Sequence, residues 1–201
     1  ADKKIFNTEG RRNKMSKTNA TAETFSVKQM TLMALMTALI CVIAPFSIPL
    51  GFSPVPISFT NFAIYIAAYV IGMKRTTISF FIYLLIGIIG VPVFAGFNSG
   101  AGVLLGPTGG YLIGFIFLAL VSGYFIDKYP SKIVMCIAGM ILGLVICYAF
   151  GTAWLAIQNK MTFMQAMLIG VVPYLIGDAI KIAVAAVIGP QLRKAARAIM
   201  G

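Results

Sequence analysis

Between Lys28 and Lys74, and again between Arg75 and Asp127, the chain carries no Asp, Glu, Lys or Arg. Stretches that long, filled with Ile, Leu, Val, Phe, Ala and Met, have no polar face to turn toward water. Composition supports a lipid setting: of 201 residues 60% are hydrophobic and 10% charged, none is histidine, and the mean hydropathy is +0.95. In a bilayer core each backbone N–H and C=O must find its partner within the protein, so apolar runs of about 20 residues are expected as helices. These features predict a polytopic, all-α membrane protein.

Apolar runs and the Gly, Pro and charge punctuation between them mark six candidate spans: residues 28–46, 59–73, 76–90, 106–126, 131–155 and 162–192. The second and third hold only about 15 residues each, and would merge if Lys74 and Arg75 were ignored. Two adjacent cations at a bilayer centre are very costly, so a tight turn between two short or tilted helices is expected there. Gly106 or Pro107 opens the fourth span. The sixth is too long for one crossing, because 31 residues of helix reach about 46 Å against a core of roughly 30 Å. Pro173 supplies the break, since proline suits a helix's first turn and disrupts its interior.

Loop charges then alternate. The leader, Lys74/Arg75, Lys128/Lys132 and Arg193/Lys194/Arg197 share one side, and the other side holds only Lys160. By the positive-inside rule both termini are cytoplasmic, and the uncharged loops at 47–58 and 91–105 face out. Residues 1–27 are polar, without the apolar core of a signal peptide, and read as a leader or an appended segment, Met15 being a candidate native start. Residues 28–201 read as a single membrane domain, a six-transmembrane-helix bundle. The net charge of +11 comes from cations scattered at segment ends, with no basic stripe, which argues against nucleic acid. Cys41, Cys136 and Cys147 lie in apolar segments without CxxC spacing and read as reduced packing residues, with no disulfide framework and no metal.

Against this background Asp178 and Lys181 stand out. An ionisable side chain in a span costs about 2.5 to 3.5 kcal/mol and generally faces protein or ligand. At i, i+3 the two share one helix face. Counted from Pro173 they lie about 7 to 8 Å and about 12 Å along the helix, in the outer half of the membrane. They either pair structurally or line a polar pocket. Around Gly106, Asn98, Thr108 and Tyr111 are candidates for hydrogen bonds to a ligand or for capping and backbone satisfaction. The Pro54–Asn61 stretch is either a lid followed by two polar side chains, Thr60 and Asn61, or a plain helix cap. Trp154 reads as an interface anchor. Small residues four apart, Ala34/Ala38, Gly110/Gly114 and Gly139/Gly143, permit close helix approach, within the bundle or toward a partner. Enzyme chemistry finds no support: there is no HExxH, no paired carboxylates, no GxSxG and no Walker A.

GPTGGYLIGF at 106–115, PVPI at 54–57 and GDAIK at 177–181, in this order and spacing, resemble the BioY family, the biotin-binding S-components of energy-coupling factor (ECF) transporters. The likeness spans about residues 28–197. It implies a six-helix subunit that binds biotin from outside and docks on a transmembrane T-component with two ATPase subunits, with no cofactor. It also implies that Asp178 and Lys181 are polar ligands of biotin and that Tyr111, with the preceding glycine-rich segment, is pocket wall; Asn98, where the chain departs from the family's pattern, Thr108 and Asn61 are further ligand-contact candidates read from the residues themselves. Ala34-Leu35-Met36-Thr37-Ala38 matches the AxxxA motif by which such subunits meet the T-component. Thr60-Asn61 stands where the family carries Gln-Thr. Other readings remain: an S-component or solitary facilitator for another small vitamin, or a membrane scaffold in which Asp178 and Lys181 merely pair.

Overall fold

A helix buried almost all round lies at the centre of the bundle. The computed structural model describes residues 26–200, with side chains to residue 198. Residues 1–25 of the expected leader lie outside the described residues, and Ser26 and Val27 already form the cap and first residue of a helix. The helices are α1 (Val27–Ile43), α2 (Thr60–Ile71), α3 (Met73–Ile89), a short α4 (Ala101–Leu105), α5 (Gly109–Lys128), α6 (Ile133–Gln158), α7 (Phe163–Gly170) and α8 (Leu175–Met200). The central one is α2, in which every residue but Phe62 is buried and which packs on α1, α3, α5 and α8. Apolar on all sides, it needs neighbours on all sides.

Among the described residues, three helical runs are long and apolar enough to cross a membrane: Gly109–Lys128, Ile133–Gln158 and Phe163–Ala198. The outward faces carry large apolar side chains, among them Val134, Val145 and Ile157 on α6, as lipid contact requires. The second and third candidate spans are indeed short, with 12 residues in α2 and 17 in α3.

The turn between α2 and α3 lies earlier than expected. Lys74 and Arg75 belong to the first turn of α3, and the chain reverses at Gly72, whose φ of +79° suits glycine. Asp127 at the end of α5 explains the shift. Its Oδ2 accepts from the Met73 N–H at 2.7 Å, and a Cβ on Gly72 would stand 2.9 Å from the same oxygen. Arg193 of α8 donates to Asp127 Oδ1 (2.8 Å) and to the Ile126 carbonyl (2.9 Å), so α3, α5 and α8 are joined at this end.

The hairpin of α5 and α6 is closed by its glycines. A Cβ at Gly114 would come within 2.9 Å of the Cys147 backbone, and one at Gly139 within 2.3 Å of Phe125. Gly110/Gly114 and Gly139/Gly143 therefore serve internal packing. Ala34 and Ala38 differ: they are exposed, on the face of α1 opposite its buried Met33, Met36, Thr37 and Ile40.

The 162–192 segment breaks at Pro173, within a 3₁₀ turn over Val172–Tyr174. Before it, α7 opens on a reciprocal cap in which Thr162 Oγ accepts from the Gln165 N–H and Gln165 Oε1 from the Thr162 N–H. The loop at 47–58 is more ordered than a loop, forming a two-stranded antiparallel ribbon, β1 (Ser47–Ile48) and β2 (Ile57–Ser58).

Candidate ligand-binding site

Beneath that ribbon, at the bundle end that carries the uncharged loops, lies a cavity of ≈ 400 Å³. This is within the range of small-molecule sites, roughly 300 to 1,000 Å³. All six sequence candidates, Asn61, Asn98, Thr108, Tyr111, Asp178 and Lys181, line it. They come from four separate parts of the chain. The starts of α2, α5 and α8 supply five of them, and the loop before α4 supplies Asn98.

Asp178 and Lys181 are buried and paired, with Lys181 Nζ 2.8 Å from Asp178 Oδ1. Each has a second partner. Lys181 Nζ also donates to the Ser58 carbonyl at 2.6 Å and lies 5.4 Å from the Phe59 ring centroid. Asp178 Oδ2 accepts from the Tyr148 hydroxyl of α6 at 2.5 Å. These contacts tie the end of the ribbon to α8 and hold the carboxylate in place.

The other candidates divide by what already occupies their polar atoms. The Tyr111 hydroxyl donates to the Gly170 carbonyl at 2.9 Å, and its ring fills the space above Gly151, so it acts as wall. Asn98 donates to the Ala95 carbonyl at 2.8 Å and steadies the tight turn between Phe94 and Asn98. Asn61 accepts from the Phe62 N–H at 3.0 Å. Its amide nitrogen is left for the cavity. Thr108 makes no side-chain cap to α5, which begins at Gly109 rather than at Gly106 or Pro107. Among the described residues no three His, Cys, Asp or Glu could hold a metal.

Several working residues gave no clear signal in the sequence. Trp154, expected as an interface anchor, donates its indole N–H to the Gly106 carbonyl at 2.9 Å, and Gln158 donates to Leu105 at 2.7 Å. Together they pin the glycine-rich segment against α6. Tyr174 bonds Ser53 at 2.9 Å and the Val55 carbonyl, holding the ribbon's loop over the cavity. Tyr148 and Tyr174 were readable only as aromatic residues in apolar runs, where packing is the ordinary role.

A family model described as the BioY family matches residues 15–198. The chain belongs to the BioY family. The biotin transporter BioY of Thermotoga maritima is 42% identical over 168 residues, covering 84% of this chain and 97% of that protein. The probable biotin transporter BioY of Pyrococcus horikoshii is 36% identical over 168 residues, covering 83% and 96%. Among solved structures, the S-component for biotin from an ECF-type ABC transporter superposes with a TM-score of 0.78 at 34% identity, over 84% of this chain and 92% of that one. A BioY chain with this fold is a membrane protein, and the motifs at 54–57, 106–115 and 177–181 that carried the resemblance all contribute to the cavity wall.

Proposed function

We propose that this chain is the substrate-binding membrane subunit, the S-component, of an ECF-type transporter, capturing biotin from outside the cell for ATP-driven uptake by partner subunits. It is no enzyme. The observation that carries the reading is the buried Asp178–Lys181 pair opening on a cavity of ≈ 400 Å³, in a chain 42% identical to a biotin transporter.

The chemistry of the pair suits biotin. Each Asp178 oxygen accepts one bond from the protein, and a carboxylate has about four lone-pair sites, so a ureido N–H can still be accepted. The Lys181 ammonium spends two donors on Asp178 and Ser58, leaving one of its three for a ligand oxygen. Tyr111 and Thr108 shape the wall, and Asn98 and Asn61 offer further contacts at the mouth and floor.

In this reading residues 28–201 form a single domain that crosses the cell membrane six times, with both termini cytoplasmic. The distribution of charge supports that orientation. Among the described residues the cavity end carries Lys160, whereas Lys74, Arg75, Lys128, Lys132, Lys194 and Arg197 gather at the other. Exposed Ala34 and Ala38 offer a flat strip for the T-component, with two ATPase subunits completing the module.

Direct titration of the purified chain with biotin, with thiamin and riboflavin as competitors, tests the ligand. Saturable biotin binding that neither competitor displaces is expected. Binding of thiamin or riboflavin by a chain inert to biotin contradicts the proposal.

A further inference from the structure

A second cavity, of ≈ 390 Å³, lies between the ribbon and the loop before α4. One layer of residues separates it from the ligand site, since Pro54, Pro56, Ala95 and Asn98 line both. Of these four, Asn98 alone carries a polar side chain. A hydrogen bond also crosses the partition: Tyr174, in the wall of the inner cavity, bonds Ser53, in the wall of the outer one, at 2.9 Å. Unlike the inner cavity, the outer one has no charged residue in its wall.

The outer cavity lies apart from the charged pair. Neither Asp178 and Lys181 nor their partners Ser58 and Tyr148 take part in its wall. Biotin is elongated, with its ureido ring at one end and its carboxylate at the other. With the ring on the pair, the carboxylate end lies away from it, and Asn98 stands where the inner cavity borders the outer one. Asn98 spends one amide N–H on the Ala95 carbonyl at 2.8 Å, which leaves its second N–H and its carbonyl oxygen for a ligand. A free carboxylate is an acceptor only, so it can use the N–H but not the oxygen. An amide presents both an acceptor and a donor, and matches both.

We propose that the outer cavity is an extension subsite for biotin whose carboxylate is joined to an amine as an amide, with Asn98 holding the amide at the passage and the attached group lying beyond it. The proposal rests on the biotin reading above and adds a ligand class to it: biotin amides of amino acids and small amines. Ser47 and Ser53 give the outer wall hydroxyls without charge, and Pro49, Pro54 and Pro56 fix φ at three positions of that wall, which limits its collapse when empty.

Biocytin, the amide of biotin with the lysine side chain, is the probe. Calorimetric titration of the purified chain should give biocytin an affinity within about tenfold of that of biotin. Pro49→Trp fills the outer cavity from an exposed position that the inner one does not share. It should weaken biocytin binding about tenfold or more and leave biotin binding unchanged. Ser47→Leu fills the same space from the ribbon and should act alike, which guards against a local disturbance by either change alone. Biotin binding reports that each variant is folded. A wild-type chain that binds biotin but not biocytin overturns the subsite alone. So does biocytin binding that neither variant weakens, and so does an equal loss of both ligands in both variants. A wild-type chain that binds neither ligand overturns the biotin reading and the subsite together.

Discussion

Lys181 does three things with one ammonium group: it neutralises Asp178, holds the Ser58 carbonyl and faces the cavity. Removing one partner of a buried ion pair leaves the other uncompensated, at a cost on the order of 3 to 5 kcal/mol. Lys181→Met should therefore lower thermal stability in detergent sharply, and adding Asp178→Asn should restore much of it. A single variant as stable as wild type would show that the pair contributes nothing to the fold. The pair was legible in the sequence because charge is rare in a span. Its partner Tyr148 was not, since a tyrosine in an apolar helix carries no mark of whether its hydroxyl is structural, functional or idle. The same blindness hid Tyr174, whose role depends on Ser53 and Val55, residues distant in sequence.

At the level of elements, hydropathy and Pro173 located most helices, because both act locally: length in lipid and a missing N–H are properties of the segment itself. The α2–α3 turn was misplaced by two residues for the opposite reason. Its position is set by Asp127, 54 residues away, which holds the Met73 N–H and leaves no room for a side chain at Gly72. The ribbon over 47–58 was likewise invisible, since strands of two residues leave no periodicity to read. Glycines separate into two classes. Gly114 faces the Cys147 backbone at a distance no Cβ tolerates, whereas Gly177 meets nothing within 4 Å. Gly114→Ala should destabilise the α5–α6 hairpin by about 1 to 3 kcal/mol. Gly177→Ala, in the first turn of α8, should be neutral or stabilise by up to about 1 kcal/mol. Unfolding curves of both variants check the contrast, and equal effects would refute the packing argument.

Taken whole, the molecule is polar at its two ends in different ways. One end gathers cations, with Arg193 and Asp127 bonded across helices. The other end is nearly free of charge at its surface and keeps its Asp and Lys buried around a cavity. That division suits a subunit that offers a neutral mouth to the outside and a cationic face to the cytoplasm. It also explains why so much of the site was legible: five of the six candidate polar residues stood near the start of a helix, Asn98 lay in the loop before α4, and those starts converge beneath the same loops. The central claim is that Asp178 binds biotin as well as pairing with Lys181. Calorimetric titration of biotin into wild type and Asp178→Asn, both shown to be folded and monodisperse, tests it directly. The substitution keeps the shape and removes the charge, so affinity should fall about thirtyfold or more. Affinity equal to wild type would contradict the account and reduce the pair to a structural brace.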